Sequence, residues 1–169
     1  MLLREYNIED GNEVDLNGLK SNRMSLPDYI LSHRSLPMPC HDAFIRYQGG
    51  ILLVTRDNPP HKNELWPFGG RIERGMKTED SLKTVIKRES GLELEDIALI
   101  GCIRIFAGTD PFGHGKGTDC PAFVYSATGK GDLKLDSLHR NPRIITHNAY
   151  PKIRSSLHPY VRDFMDLLI

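Results

Sequence analysis

Leu65–Leu92, LWPFGGRIERGMKTEDSLKTVIKRESGL, is the stretch from which the rest of the chain is read. It opens as a short strand, turns at Gly69-Gly70 and continues as one amphipathic helix. Thr78 is the expected N-cap, Glu79 and Asp80 suit the positive end of the helix dipole, and Gly91 is the expected stop. Leu82, Val85 and Ile86 recur at helical spacing on one face, and the next position on that face is Glu89. A carboxylate at the end of an apolar stripe is either a solvated residue in a fraying last turn or a group turned inward for a purpose. Glycines without side chains let backbone approach a cation or a phosphate closely, and Mg²⁺ takes carboxylate and carbonyl oxygens. Glu89 is therefore a candidate metal ligand held against the glycine turn, beside the reading as a solvated end residue.

Outward from this segment, CHDAFIRY and ILLVTRD flank QGG as a hairpin over Cys40–Asp57, with Gly49-Gly50 expected to supply positive φ. NPPHKNE is a loop. IALIGCIRIFAG and DCPAFVYSA read as two longer strands, separated by the glycine-rich loop TDPFGHGKGT with His114 and Lys116. His114 reads as ligand-gating or as plain surface. DSLHRNPR reads as a polar loop carrying His139. The tail SSLHPYVRDFMDLLI is a closing helix with Tyr160, Phe164, Leu167 and Leu168 on one face; His158 at its start reads as structural. Trp66 and Phe68 read as core or sheet residues. LPDYILSHR, Leu26–Arg34, is a short helix with Pro27 in its first turn, and residues 1 to 22 are polar and read as an irregular lead-in. Strands first, then one helix, more strands and a last helix give an α+β fold: a mixed β-sheet flanked by helices. The organisation expected is an N-terminal arm and short helix over 1–36 and one domain over 37–169.

At 39% hydrophobic and 26% charged residues the chain is ordinary globular material, long enough for one domain with a sizeable core. Lysine plus arginine number 22 and aspartate plus glutamate 22, so no net field favours nucleic acid or a membrane surface, and neither is an expected partner. Cys40, Cys102 and Cys120 form no CxxC pair, which fits reduced thiols in a cytosolic setting. The start, MLLREYNIEDGNEVD, lacks the apolar core of a signal peptide. No run approaches the roughly 18 apolar residues of a membrane span. The expectation is a cytoplasmic protein.

Residues 70–92 resemble the Nudix box, G-x5-E-x7-R-E-U-x-E-E-x-G-U with U aliphatic. Gly70 starts it, Ile86 fills the first U, Glu89 is its last glutamate, and Gly91-Leu92 close it. Met76 replaces the first glutamate, Thr84-Val85 the Arg-Glu pair, and Arg88 the penultimate glutamate. A similarly reduced box occurs in the GDP-mannose mannosyl hydrolase branch of the Nudix superfamily, and the resemblance there runs from about Pro37 to Phe164. It is carried by Asp42 on the first strand, Arg56 at the end of the second, and the Gly69-Gly70-Arg71 turn. Glu89, the GTD of Gly117-Thr118-Asp119, the D-x-x-H of Asp136–His139, and the tail SLHPYVRDF complete it. Leu138 stands where those relatives have a side-chain amide that ligates metal.

This resemblance implies a Nudix α/β/α sandwich, a homodimer, and Mg²⁺ (or Mn²⁺ in its place) on Glu89 and Gly69. It implies a nucleotide-sugar substrate, most similar to GDP-mannose, from which water attacking the anomeric carbon releases GDP whole. Arg56 and Arg71 would hold phosphate oxygens, since guanidinium forks match them bidentately. His139 would be the general base; an imidazole with an unperturbed pKa of about 6.5 suits proton abstraction near neutrality. Asp42 would assist from the sugar side or by orienting the arginines. The rival readings are pyrophosphate cleavage at phosphorus and a non-catalytic nucleotide-sugar-binding domain. Leu138 and Arg88 favour the last of these.

Overall fold

Apolar side chains on both faces of the strands dictate a sheet covered twice. The computed structural model describes residues 2–169. The N-terminal segment forms a ribbon of β1 (Ile8–Glu9) and β2 (Asn12–Glu13), then the short helices α1 (Leu16–Leu19) and α2 (Leu26–Ser35). The main sheet follows as β3 (Cys40–Tyr47), β4 (Gly50–Arg56), β5 (Leu65–Trp66) and β6 (Phe68–Arg71). After α3 (Thr78–Ser90) come β7 (Glu93–Ala107), β8 (Thr118–Lys130) and β9 (His139–Ile145). The chain closes with α4 (Tyr150–Ile153), a 3₁₀ turn and α5 (Pro159–Leu168).

The sheet runs β5-β4-β3-β8-β7, with β6 on β3 and β9 on β4. β3 and β8 are parallel and the other pairs antiparallel, so the sheet is mixed as expected. Strand alternation sorts the core in two. Phe44, Ile51, Leu53 and Val124 pack with Tyr160, Val161, Phe164 and Met165 of α5. Ala43, Ile45, Leu52, Val54 and Tyr125 pack with Leu82 and Ile86 of α3. A one-residue slip of β3 or β4 would exchange the two faces, so register and core specify each other. Among the described residues no helix is long and apolar enough to cross a membrane.

Several local expectations are corrected. The hairpin turn takes its positive φ at Gln48 (47°) and Gly49 (84°), while Gly50 already belongs to the strand. The N-cap of α3 is Lys77, not Thr78, and its side chain makes no cap bond. Glu5 does that instead: its Oε1 accepts from the Thr78 amide at 2.8 Å and from Thr78 Oγ1 at 2.6 Å. The lead-in is thus tied to α3, because its carboxylate meets an amide that the helix cannot satisfy itself. DSLHRNPR is not all loop, since β9 starts at His139 and pairs with β4. Leu167 points outward, and Met165 takes the buried position. Trp66 and Phe68 are core, as read.

Candidate active site

Pairing of β3 with β6 sets Asp42 opposite Gly69, His41 opposite Gly70 and Cys40 opposite Arg71. A side chain at Gly69 would collide with Asp42 Oδ1 and the His41 carbonyl, so only glycine lets β6 lie this close. Across Gly70 comes α3: a Cβ there would lie 3.3 Å from Val85 Cγ1 and 3.5 Å from Glu89 Oε1. Glu89 therefore faces the turn, and it is only 9% exposed. Burial, and next the Asp136 carboxylate, push its pKa up to about 8, against the pull of Arg88 and the Gly69 amide. Its Oε2 has no hydrogen-bond partner. A sealed carboxylate oxygen without a donor is costly unless a proton or a cation takes it. That is the donor chemistry of a hard-cation site, and the residues present fit one.

Asp42 is buried beside Tyr160, whose hydroxyl donates to Oδ2 at 2.7 Å. Burial raises this carboxyl to about 6, while the Tyr160 bond and Arg56 oppose the shift. Arg56 is depressed by its own burial and held up by Asp42 and Glu89, so one half-buried cation sits among acidic groups. Its Nε donates to the Pro60 carbonyl at 2.9 Å and its Nη2 to Asn58 Oδ1 at 3.3 Å. The loop after β4 thus holds the guanidinium in place.

His139 lies opposite Arg56 in the β4–β9 ladder. It is buried, its ring 5.1 Å from that of Phe68, and Nδ1 is 2.8 Å from Asp136 Oδ1. The same Oδ1 accepts from the Leu138 amide at 2.9 Å, and the Asp136 amide donates to the Glu89 carbonyl at 3.0 Å. Asp136 therefore links the end of α3 to His139, a connection visible in the sequence only as D-x-x-H. Arg88 pairs with Glu73 at 3.3 Å with its side chain 59% exposed.

Arg71 rests 4.7 Å above the Tyr29 ring of α2 and lines a cavity of about 710 Å³ with Arg23, Tyr29, Gly70, Arg88 and Glu89. Asp42, Arg56 and His139 are not among its lining residues. No sequence signal announced Arg23 or Tyr29, because their segment has no motif. His114 is not bare surface: its Nε2 lies 2.8 Å from His33 Nδ1, and its loop is pinned by Asp110, which accepts the amides of Phe112, His114 and Gly115. Asp119 of the GTD is engaged by Arg104 through two bonds of 2.9 and 2.8 Å.

No family model matches the chain. It is 25% identical over 138 residues to the low-salt glycan biosynthesis protein Agl8 of Haloferax volcanii, covering 79% of this chain and 83% of that one. It is 28% identical over 129 residues to an ADP-ribose pyrophosphatase of Methanocaldococcus jannaschii, covering 76% and 73%. Among solved structures, a MutT protein of Methanosarcina mazei superposes with a TM-score of 0.60 at 20% identity, covering 78% of this chain and 93% of that one. A Nudix hydrolase of Nitrosomonas europaea gives 0.59 at 16% identity, covering 77% and 86%.

Proposed function

We propose that this chain, which has the Nudix fold, is a Mg²⁺-dependent hydrolase of a nucleoside diphosphate sugar, GDP-mannose or a close analogue. The observation that carries the proposal is the buried, unpartnered Glu89 Oε2 set against the glycine turn. One likeness supports it, since Agl8 is named for glycan biosynthesis; the ADP-ribose pyrophosphatase is named for a different substrate. Glu89 and the Gly69 carbonyl would hold Mg²⁺, or Mn²⁺ in its place, and the ion would supply neutralisation of diphosphate charge.

The rest is the work of side chains. Asp136 accepts the Nδ1 proton of His139 and leaves the Nε2 lone pair to take a proton from water. The water oxygen bonds to the anomeric carbon, the bond from that carbon to the diphosphate breaks, and its electron pair leaves with GDP. Arg71, fixed over Tyr29, meets phosphate oxygens at the cavity. Arg56, held up by the charge of Glu89, would meet them too, and Asp42 orients it, a reading supported by their mutual charge and by the Tyr160 bond that holds Asp42.

A second reading, attack at phosphorus, is favoured by the pyrophosphatase likeness and by the Asp136 carboxylate next to Glu89. The test is turnover of GDP-mannose with Mg²⁺, with sugar, sugar phosphate, GDP and GMP resolved. The proposal expects mannose and GDP, a loss of about 10²-fold or more in kcat for Glu89→Gln, and a similar loss for Asp136→Asn with KM little changed. Equal turnover in wild type and Glu89→Gln would refute it. GMP with mannose 1-phosphate would move it to the second reading.

A further inference from the structure

A second donor cluster lies where the loop after β4 meets the start of α5. His61, Glu64 and His158 each offer one ligand atom there, and the three atoms lie within 4.8 Å of one another. Nδ1 of His61 is 3.2 Å from Glu64 Oε1, an oxygen that leaves this bond to reach an ion held at Nε2. That Nε2 is buried and has no hydrogen-bond partner. A lone pair sealed from water in this way calls for a proton or a metal. Packing already fixes the rings: His61 stacks on Trp66 at 4.4 Å and 13°, and His158 meets His61 edge-on at 4.7 Å and 67°.

We propose that His61, Glu64 and His158 form a second divalent-metal site, separate from Glu89 and suited to Zn²⁺ or a cation of similar softness. Two imidazoles and one carboxylate are a Zn²⁺ donor set, and three protein ligands leave a position for water. Mg²⁺, which asks for oxygen ligands, is disfavoured by the same set. Burial and the neighbouring His61 hold the His158 imidazole toward its neutral, ligating form. His158 Nδ1 also accepts the Tyr160 amide at 3.2 Å, so metal binding exchanges that helix-cap bond for a metal bond.

Such an ion would join two segments that hold the proposed catalytic groups. The loop binds Arg56 through the Pro60 and Glu64 carbonyls and the Asn63 amide, and α5 binds Asp42 through Tyr160. Zn²⁺ at this site clamps the loop to the helix.

The test uses the full chain, stripped with a chelator and then titrated with Zn²⁺ by calorimetry in excess Mg²⁺, with Co²⁺ absorption as the coordination readout. One Zn²⁺ per chain, a raised thermal midpoint, and a loss of at least about tenfold in affinity in His61→Asn and Glu64→Gln are expected. Glu64 is partly exposed, so Glu64→Gln decides the matter if His61→Asn fails to fold. Wild type without Zn²⁺ binding, or variants that bind as wild type does, would overturn the proposal. Binding lost in Glu89→Gln but kept in Glu64→Gln would assign the ion to the other site and overturn it equally.

Discussion

Glu89 is where sequence and chemistry meet. A carboxyl raised from 4.5 to about 8 binds a proton in the folded state that the unfolded chain releases. Folding stability of the metal-free protein therefore falls as pH rises from about 5 to 8, by about 1 kcal/mol per pH unit. Asp42, raised to about 6, adds the same sign below that value. Thermal denaturation in chelator is expected to show this slope, with Mg²⁺ or Glu89→Gln flattening its upper part. A flat metal-free profile would remove the buried-carboxylate account. At this scale the sequence was legible wherever a residue belonged to a spaced pattern: Glu89 by helical period, Gly69 by its turn, His139 with its Asp136. Arg23, Tyr29 and the Tyr160 contact to Asp42 were not, because each depends on segments far apart in the chain meeting in space. Arg88, read as favouring a non-catalytic domain, pairs with Glu73 on the preceding turn.

Among the elements, α3 shows what local rules reach and where they stop. Its apolar face, its acidic first turn and its Gly91 stop, at φ 73°, follow from propensity and periodicity. Its cap does not, because the capping carboxylate is 73 residues away at Glu5. Glu5→Gln keeps an acceptor but removes the charge at the helix N-terminus, and Glu5→Ala removes both. The alanine variant is expected to cost about 1 kcal/mol, or roughly 2–4 °C in Tm for a chain of this size, with the glutamine variant in between. Calorimetric scans of the three proteins check the order; an unchanged Tm for Glu5→Ala would mean that the arm adds nothing to the fold. β9 was hidden in a polar, proline-containing stretch with no alternation, and only pairing with β4 makes it a strand.

The whole molecule is a sheet with a core on each face, and that much follows from strands apolar on both sides. Sheet order and the parallel β3–β8 pair carry no sequence signature, since they depend on long-range pairing. β7 forms one edge of the main sheet path and leaves Phe106 69% exposed. The homodimer implied by the mannosyl hydrolase resemblance would give twice the 19.1 kDa chain mass in light scattering; the mass of one chain would contradict it. The central claim concerns the bond that breaks, and hydrolysis of GDP-mannose in H₂¹⁸O with Mg²⁺ tests it most directly. The account predicts ¹⁸O in mannose and none in GDP. Label in a phosphate product would place the attack at phosphorus and contradict it.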